Sequence, residues 1–194
     1  MDKNVFVERV AKVAVEKYDE YGILPSLVIA QAILESGWGE KPIENNIFGI
    51  KASSSWQGRV ATRRTKEWDG EKFITVEAKF RAYDSIEDSI MDYLKLVGRT
   101  KRYERVKKAQ DYKEAARLIY EAGYATDPLY SKKLIDIIEA RKLYKYDQVK
   151  DTLSPWAMEA WNWAKEMGIT DGTRPRDYMT REEGITILYR LFCK

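Results

Sequence analysis

The segment 25–36, with the sequence PSLVIAQAILES, is apolar on nearly every side of the helix that it predicts. Pro25 suits the first turn of a helix, and Gly37 is a typical residue just after the last turn. A helix without a polar face is stable only when other elements cover it. The rest of the chain must therefore supply elements that bury this helix.

Further helices and one hairpin are predicted to do so. Apolar residues at helical spacing predict a helix over Val5–Tyr21. Two runs of alternating polarity, Val60–Trp68 and Lys72–Phe80, flank Asp69-Gly70 and predict a β-hairpin. Three later helices, the last over Tyr130–Leu143, are predicted from their capping residues, which are Ser85, Asp111 and Asp127. The predicted fold class is mainly α (α+β), a helical domain with a small β lobe.

The chain of 194 residues holds one ordinary domain and a small appendage. Residues 1–146 are predicted to form the domain. Residues 147–153, DQVKDTL, are polar and predict a linker. Residues 154–194 predict two helices, a module too small for a core of its own.

Composition excludes several kinds of catalytic site. The chain has no histidine, which rules out a Ser-His-Asp triad, a Cys-His pair and an HExxH zinc site. Its one cysteine, Cys193, cannot form a thiolate cluster. We therefore expect no metal and no cofactor, and catalysis by carboxylates, tyrosines, lysines or backbone groups.

Composition also limits the partners. No apolar run approaches ~20 residues, so we expect no membrane span. The formal net charge of +3 is too small for an obligate nucleic-acid binder. The basic run 98–108, GRTKRYERVKK, is interpreted as a solvated helix face, with attraction to a polyanionic cell wall as a second interpretation. The start of the chain lacks an apolar signal core, so we expect synthesis in the cytoplasm and delivery by another route.

Gln31 and Glu35 interrupt the apolar helix four residues apart and therefore share one face. Burial raises the pKa of a carboxyl group, and the negative end of the helix dipole acts in the same direction. A carboxylic acid that stays protonated near neutral pH is what glycosidic cleavage requires as its general acid. Glu35 is the candidate acid, and a salt-bridged carboxylate at a helix end is the alternative.

A series of longer blocks strengthens the first interpretation. They occur in order over about 25–140 and are LPSLVIAQAILESGWGE, NNIFGIK, TKEWDGE, AKFRAYDSIEDSIMDY, RYERV and AGYATDPLYSKKL. Together they resemble the glucosaminidase family of peptidoglycan hydrolases, glycoside hydrolase family 73. The resemblance implies a lysozyme-like fold with a saccharide groove. It also implies cleavage of the β-1,4 bond between N-acetylglucosamine and N-acetylmuramic acid in peptidoglycan.

The same resemblance assigns catalytic roles. Glu35 in LESGWG matches the general acid, Glu67 in TKEW the second carboxylate, and Tyr124 in AGYATDP the active-site tyrosine. Asp69 and Glu71 compete with Glu67 for the role of second acid at the hairpin.

Other matched or aromatic positions are predicted to bind substrate. Asn46 suits an N-acetyl or hydroxyl partner, whereas Phe48 and Gly49 have packing and turn formation as alternatives. Tryptophan rings stack on sugars, which makes Trp38, Trp56 and Trp68 groove candidates. The full predicted substrate-binding set is Gln31, Trp38, Asn46, Phe48, Lys51, Trp68, Asp127 and Tyr130.

The tail resembles a single S-layer-homology motif, on the evidence of GITDG and TREE. Arg181 of TREE is then the expected contact to a secondary cell-wall polymer, and pairing with Glu182 or Glu183 is its alternative. Trp156, Trp161 and Trp163 are interpreted as core of this module. We also expect the module to dock on the domain or to associate into a homo-oligomer.

A hydrolase with a wall-binding tail resembles a bacteriophage endolysin or a stored bacterial autolysin, which acts on the wall after release. Two other functions fit the sequence. One is a lytic transglycosylase or muramidase of the same fold. The other is a non-catalytic wall-binding protein.

Overall fold

The computed structural model describes residues 2–68, 73–151, 157–171, 179 and 181–192, with backbone alone for residues 66–68, 73, 74, 149–151, 183, 191 and 192. The chain forms two compact units, Met1–Asp147 and Gln148–Lys194. Several residues named above lie outside the described residues, namely the turn Asp69-Gly70, Glu71, Trp156 and Cys193.

The apolar helix forms as predicted, as α3 over Pro25–Ser36, and lies at the centre of the first unit. Its residues from Pro25 to Ile33 are all buried, and helices before and after it in sequence pack against it. Gly37 ends it in the left-handed conformation, with φ +56°. The predicted mainly helical fold with a small β lobe is therefore confirmed.

The first helix is shorter than predicted. Helix α1 spans Lys3–Glu16, and the chain then forms a single turn, α2, over Tyr18–Tyr21. Lys17 separates the two because its backbone leaves the helical geometry there. Tyr21 packs closely on Gly98, where a Cβ atom would lie 2.7 Å from the tyrosine ring.

The hairpin pairs β1, Val60–Trp68, with β2, Phe73–Arg81, in antiparallel register. The second strand extends one residue beyond the predicted Phe80 because Arg81 still pairs with Val60 in the ladder. Phe80 is buried and its neighbour Lys79 is exposed, as the alternation predicts.

Three amphipathic helices follow: α4 over Ile86–Arg99, α5 over Tyr112–Glu121 and α6 over Tyr130–Ala140. Ser85 caps α4 as predicted and forms a reciprocal capping box with Asp88. Asp111 caps α5 as predicted, and the carboxylate of Glu114 in the first turn accepts the N–H of Gln110 at 2.8 Å.

The start and end of α6 differ from the prediction. Asp127 accepts the N–H of Leu129 at 2.9 Å and so closes the turn before the helix, whereas Leu129 takes the N-cap position. The helix ends at Ala140, three residues before the predicted end at Leu143, and a 3₁₀ segment continues over Leu143–Asp151.

The 3₁₀ segment overlaps the predicted linker and belongs in part to the first unit. Asp147 accepts hydrogen bonds from the Ser26 N–H at 2.8 Å and from the Ser26 hydroxyl at 2.5 Å. A carboxylate at this position accepts from an otherwise unpaired N–H at the start of α3. Its negative charge also interacts favourably with the positive end of the helix dipole.

The second unit contains α7 over Met158–Glu166 and α8 over Arg181–Phe192. None of its described side chains is buried. Trp163, predicted as core, is 50% exposed, since two short helices cannot enclose a side chain of that size. In the described part of the whole chain, no helix is long and apolar enough to cross a membrane.

Candidate active site

The carboxyl group of Glu35 lies on the last turn of α3, where the buried helix reaches the surface. Glu35 is exposed as a residue although the protein surrounds much of its carboxyl group, whereas the next residue, Ser36, is buried. The Ser36 hydroxyl donates to the carbonyl of Ala32 at 2.6 Å and accepts the N–H of Gly39 at 2.8 Å. These bonds fix the helix end that carries Glu35.

A buried chain of hydrogen bonds holds the carboxylate from behind. The Tyr130 hydroxyl donates to Oε1 of Glu35 at 2.7 Å, and the Gln31 amide donates to the same hydroxyl at 3.0 Å. The Tyr93 hydroxyl in turn donates to Oε1 of Gln31. Gln31 and Tyr93 are fully buried and Tyr130 is 4% exposed. Buried polar groups need hydrogen-bond partners, and each of these side chains finds one in its neighbour.

The surroundings make Glu35 a weaker acid than an ordinary glutamate. The neighbouring protein removes water from around the carboxylate and raises its pKa, while the hydrogen bond from Tyr130 acts in the opposite direction. Burial also raises the pKa of Tyr130, which keeps its hydroxyl protonated as a donor. Because Oε1 accepts from Tyr130, we assign the acidic proton to Oε2.

Glu35 opens into a cleft of about 430 Å³, a size typical of small-molecule sites. Its described lining residues are Glu35, Phe48, Gly49, Ile50, Lys51, Arg81, Leu96, Arg102, Tyr103, Tyr124 and Ala125. Three predicted site residues, Phe48, Lys51 and Tyr124, are thus brought to the same cleft as Glu35.

Tyr124 lies between the cleft and the buried hydrogen-bond chain. Its ring stacks on Tyr130 with centroids 6.1 Å apart, and its hydroxyl donates to the carbonyl of Phe48 at 3.3 Å. The Phe48 ring is 2% exposed and stacks on Tyr93 at 4.1 Å. Tyr124 therefore joins the loop around Phe48 to the residues that hold Glu35.

The side-chain amide of Asn46 is buried and hydrogen-bonded to the protein backbone. It is 2% exposed, donates to the carbonyls of Ile50 at 2.9 Å and Arg81 at 2.8 Å, and accepts the N–H of Ile50 at 3.0 Å. Its amide thereby ties the cleft loop to the hairpin. We assign Asn46 to positioning that loop in place of the predicted contact to sugar.

Gln31 and Tyr130 also take a different role from the predicted contact to substrate. Both lie beneath Glu35 and use their polar groups on each other and on neighbouring side chains. Asp127 forms a 2.5 Å ion pair with Lys133, which lowers the pKa of the aspartate. Asp127 is not among the described residues that line the Glu35 cleft.

Trp38 lies at a separate cavity of about 280 Å³, which shares no described lining residue with the Glu35 cleft. The charged ends of Lys3 and Arg141 lie 5.2 Å and 4.7 Å from the centre of its ring. The structure thus places the ring against these cations and away from the Glu35 cleft, in contrast to the predicted sugar platform.

The hairpin carries the remaining predicted site residues. Glu67 pairs with Ile74 and Trp68 with Phe73 at the end of the ladder, and their side chains lie outside the description. Trp56, the third groove candidate, lies under the guanidinium of Arg81 at 4.5 Å.

Sequence reasoning missed Arg102 and Tyr103. The basic run that contains them was interpreted as a helix face, but α4 ends at Arg99 and the run continues as two 3₁₀ segments, Lys101–Tyr103 and Val106–Lys108. The block RYERV, one of those that resembled the hydrolase family, was the one signal that pointed to this place.

The described residues contain no group of three or more cysteine, aspartate or glutamate side chains placed to hold a metal ion.

Comparison with known proteins places this chain in a family. Residues 11–143 match the glucosaminidase family, described as mannosyl-glycoprotein endo-beta-N-acetylglucosaminidase. The chain therefore belongs to the glucosaminidase family.

Individual relatives agree with this assignment. The chain is 39% identical to the exo-glucosaminidase LytG of Bacillus subtilis over 78% of its length, and 38% identical to the peptidoglycan hydrolase FlgJ of Escherichia coli over 79%. It covers 56% and 51% of those two proteins, about half of their length. A crystal structure of a peptidoglycan hydrolase mutant from Sphingomonas sp. A1 superimposes with a TM-score of 0.67 at 37% identity, covering 73% of this chain and 96% of that one.

Proposed function

We propose that this protein hydrolyses the β-1,4 bond between N-acetylglucosamine and N-acetylmuramic acid in peptidoglycan. The observation that carries the proposal is the Glu35 carboxyl group, which has a raised pKa and accepts a 2.7 Å hydrogen bond from Tyr130 at the edge of an open cleft. The names of the relatives, a glucosaminidase and peptidoglycan hydrolases, support the substrate class.

In this proposal Glu35 protonates the leaving oxygen of the glycosidic bond. A raised pKa keeps a larger share of the acid protonated near neutral pH, and Oε2 is free of the Tyr130 bond. We assign Glu67, near the end of β1, as the second carboxylate that acts on the opposite face of the sugar.

The test compares two glutamate variants on labelled cell walls. Glu35→Gln removes the acidic proton and keeps the shape, so the release of soluble fragments should fall by about 10²–10⁴-fold. Glu40→Gln is the matched control, because Glu40 is an exposed glutamate just beyond the same helix. Release by Glu35→Gln above a tenth of the parent rate would contradict the assignment.

We propose internal cleavage of the glycan chain, in keeping with the description of the matched family as an endo-enzyme. LytG bears the name of an exo-enzyme, so the two modes are both represented among relatives. An internal cut gives early products of many lengths, whereas cleavage from chain ends releases short products from the start. Size analysis of the first products separates the two modes.

For the second unit we propose attachment to a secondary cell-wall polymer through Arg181, and self-association of copies. Support comes from Arg181 being the exposed first residue of α8 and from exposed apolar side chains such as Leu188, 55% exposed. The whole protein would then act at the wall as an endolysin or autolysin. Arg181→Ala should reduce retention on purified walls, with Arg190→Ala, exposed on the same helix, as the control.

A further inference from the structure

The cleft beside Glu35 is lined by more positive than negative charge. Among its described lining residues, Glu35 is the only acid, whereas Lys51, Arg81 and Arg102 are cations. A neutral N-acetylglucosamine chain offers no charge to match them. A glycan that carries carboxylates does.

Arg81 already has a partner in the protein. Its guanidinium donates to Oδ2 of Asp92 at 2.6 Å, and the pair is largely buried, with 15% and 20% of the two side chains exposed. Tyr83 donates to the same oxygen at 2.6 Å. Arg81 therefore serves to hold β2 against α4, and its charge is offset by that of Asp92.

The guanidinium of Arg102 is held by a neighbouring aromatic side chain, and its charge is not offset by a carboxylate of the described residues. Its guanidinium lies 4.5 Å from the centre of the Tyr103 ring and donates to the Tyr103 hydroxyl. Tyr103 is 1% exposed, which fixes this support. Within the described part of the chain, these contacts with Tyr103 are the ones Arg102 makes, and no carboxylate pairs with it. A planar guanidinium held on an aromatic ring is well suited to a bidentate carboxylate.

We propose that Arg102 forms a subsite that binds a carboxylate on the muramic acid branch of the glycan. This inference rests on the proposed function and adds to it the group by which the enzyme distinguishes peptidoglycan from a neutral N-acetylglucosamine polymer. Two sources supply that carboxylate. One is the lactyl group, free when the peptide has been removed, and the other is the peptide itself when it is attached.

The experiment uses the full chain and three soluble substrates. These are peptide-free glycan oligomers, the same oligomers with their carboxylates converted to amides, and peptide-bearing oligomers. Arg102→Ala should raise KM by about three- to tenfold on a carboxylate substrate, with kcat little changed, because the lost contact binds substrate and transition state alike. The parent should lose the same factor when the carboxylates are amidated, and Arg102→Ala should be insensitive to amidation.

Matched variants separate recognition from folding. Lys101→Ala removes a neighbouring exposed cation outside the described cleft lining and should keep the parental KM. Arg102→Lys keeps the charge without the planar fork and should recover part of the affinity. If Arg102→Ala melts below the parent, Arg102→Gln, which can still donate to Tyr103, replaces it.

The substrate on which Arg102→Ala loses affinity identifies the source of the carboxylate. A loss on peptide-free oligomers identifies the lactyl group, and a loss confined to peptide-bearing oligomers identifies the peptide. An equal change of KM on charged and amidated substrates, or no change at all, would overturn the subsite. Failure of the proposed function gives a different result from failure of the subsite, because the parent protein would then cleave none of the oligomers.

Discussion

The hydroxyl of Tyr130 donates a 2.7 Å hydrogen bond to Oε1 of Glu35, joining two residues that lie 95 positions apart in the sequence. This bond places the first residue of α6 against the last turn of α3. It orients the carboxyl group and, by stabilising the charged form, limits how far burial raises the pKa of Glu35. The bond therefore couples the packing of two helices to the strength of the candidate acid.

Replacing Tyr130 with phenylalanine should shift the pH profile of activity. The hydrogen bond lowers the pKa of Glu35, so its loss raises that pKa further. Because the protonated form is the active one, the alkaline limb of the kcat profile should move to higher pH, while kcat falls as the carboxyl group loses its orientation. Tyr144→Phe, at an exposed tyrosine outside the described cleft lining, is the control. A limb that moves to lower pH would show that Tyr130 does not stabilise the carboxylate.

The raised pKa of Glu35 also predicts how stability depends on pH. The folded pKa lies above the unfolded value of 4.5, so the folded state binds the proton more strongly and loses stability as the pH rises through the folded pKa. Glu35→Gln removes this loss. The melting temperature of the variant minus that of the parent should therefore become more positive from pH 4 to pH 8. A difference that stays constant, or falls, over this range would contradict the pKa shift.

Two substitutions distinguish the roles of the candidate hairpin acids Glu67 and Glu71. Glu67→Gln should reduce activity less than Glu35→Gln does, since water or the substrate's acetamido group can replace part of its function. Glu71→Gln should keep nearly the parental rate. Activity is measured by fragment release from the same labelled walls. A loss in Glu71→Gln without one in Glu67→Gln would show that the second carboxylate was assigned to the wrong position.

Asp147 is expected to stabilise the first unit. Its carboxylate accepts both the N–H and the hydroxyl of Ser26, which is fully buried at the start of α3. Asp147→Ala should lower the free energy of unfolding by about 1–2 kcal/mol, the usual cost of losing a helix cap. Asp151→Ala, at the end of the same 3₁₀ segment, is the comparison. Equal denaturation midpoints for Asp147→Ala and the parent would contradict this role.

A related prediction concerns removal of the second unit. A chain that ends at Asp151 keeps Asp147 and the 3₁₀ segment and should fold with nearly the parental melting temperature. Its activity on soluble oligomers should survive, while its activity on intact walls falls because tethering no longer raises the local enzyme concentration. Unchanged wall binding together with a much lower melting temperature would show that the second unit is a structural extension.

Features with local causes could be predicted from the sequence. Pro25 and Gly37 bound α3 and Ser85 with Asp88 caps α4, because each acts on backbone groups within a few residues. The lone acid on the apolar helix made Glu35 a candidate, and its assignment as general acid rests on the resemblance of the longer sequence blocks and stays a prediction.

Features that depend on distant pairs could not be predicted. The Gln31 amide meets Tyr130 across 99 residues and Ser26 meets Asp147 across 121, and neither pairing leaves a local pattern. Gln31, Asn46 and Tyr130 were therefore interpreted as contacts to sugar, although the protein itself uses their polar groups. Arg102 was missed because a basic run on the surface looks the same whether or not it borders a cleft.

The chemical identity of the new chain ends tests the proposed reaction most directly. Peptidoglycan is digested with the parent protein, reduced with borohydride and analysed by mass spectrometry. Hydrolysis after N-acetylglucosamine predicts reduced N-acetylglucosamine at every new end, and none with Glu35→Gln. Reduced N-acetylmuramic acid would show muramidase activity, and 1,6-anhydro-muramic acid would show a lytic transglycosylase. Either of these ends would contradict the proposed cleavage.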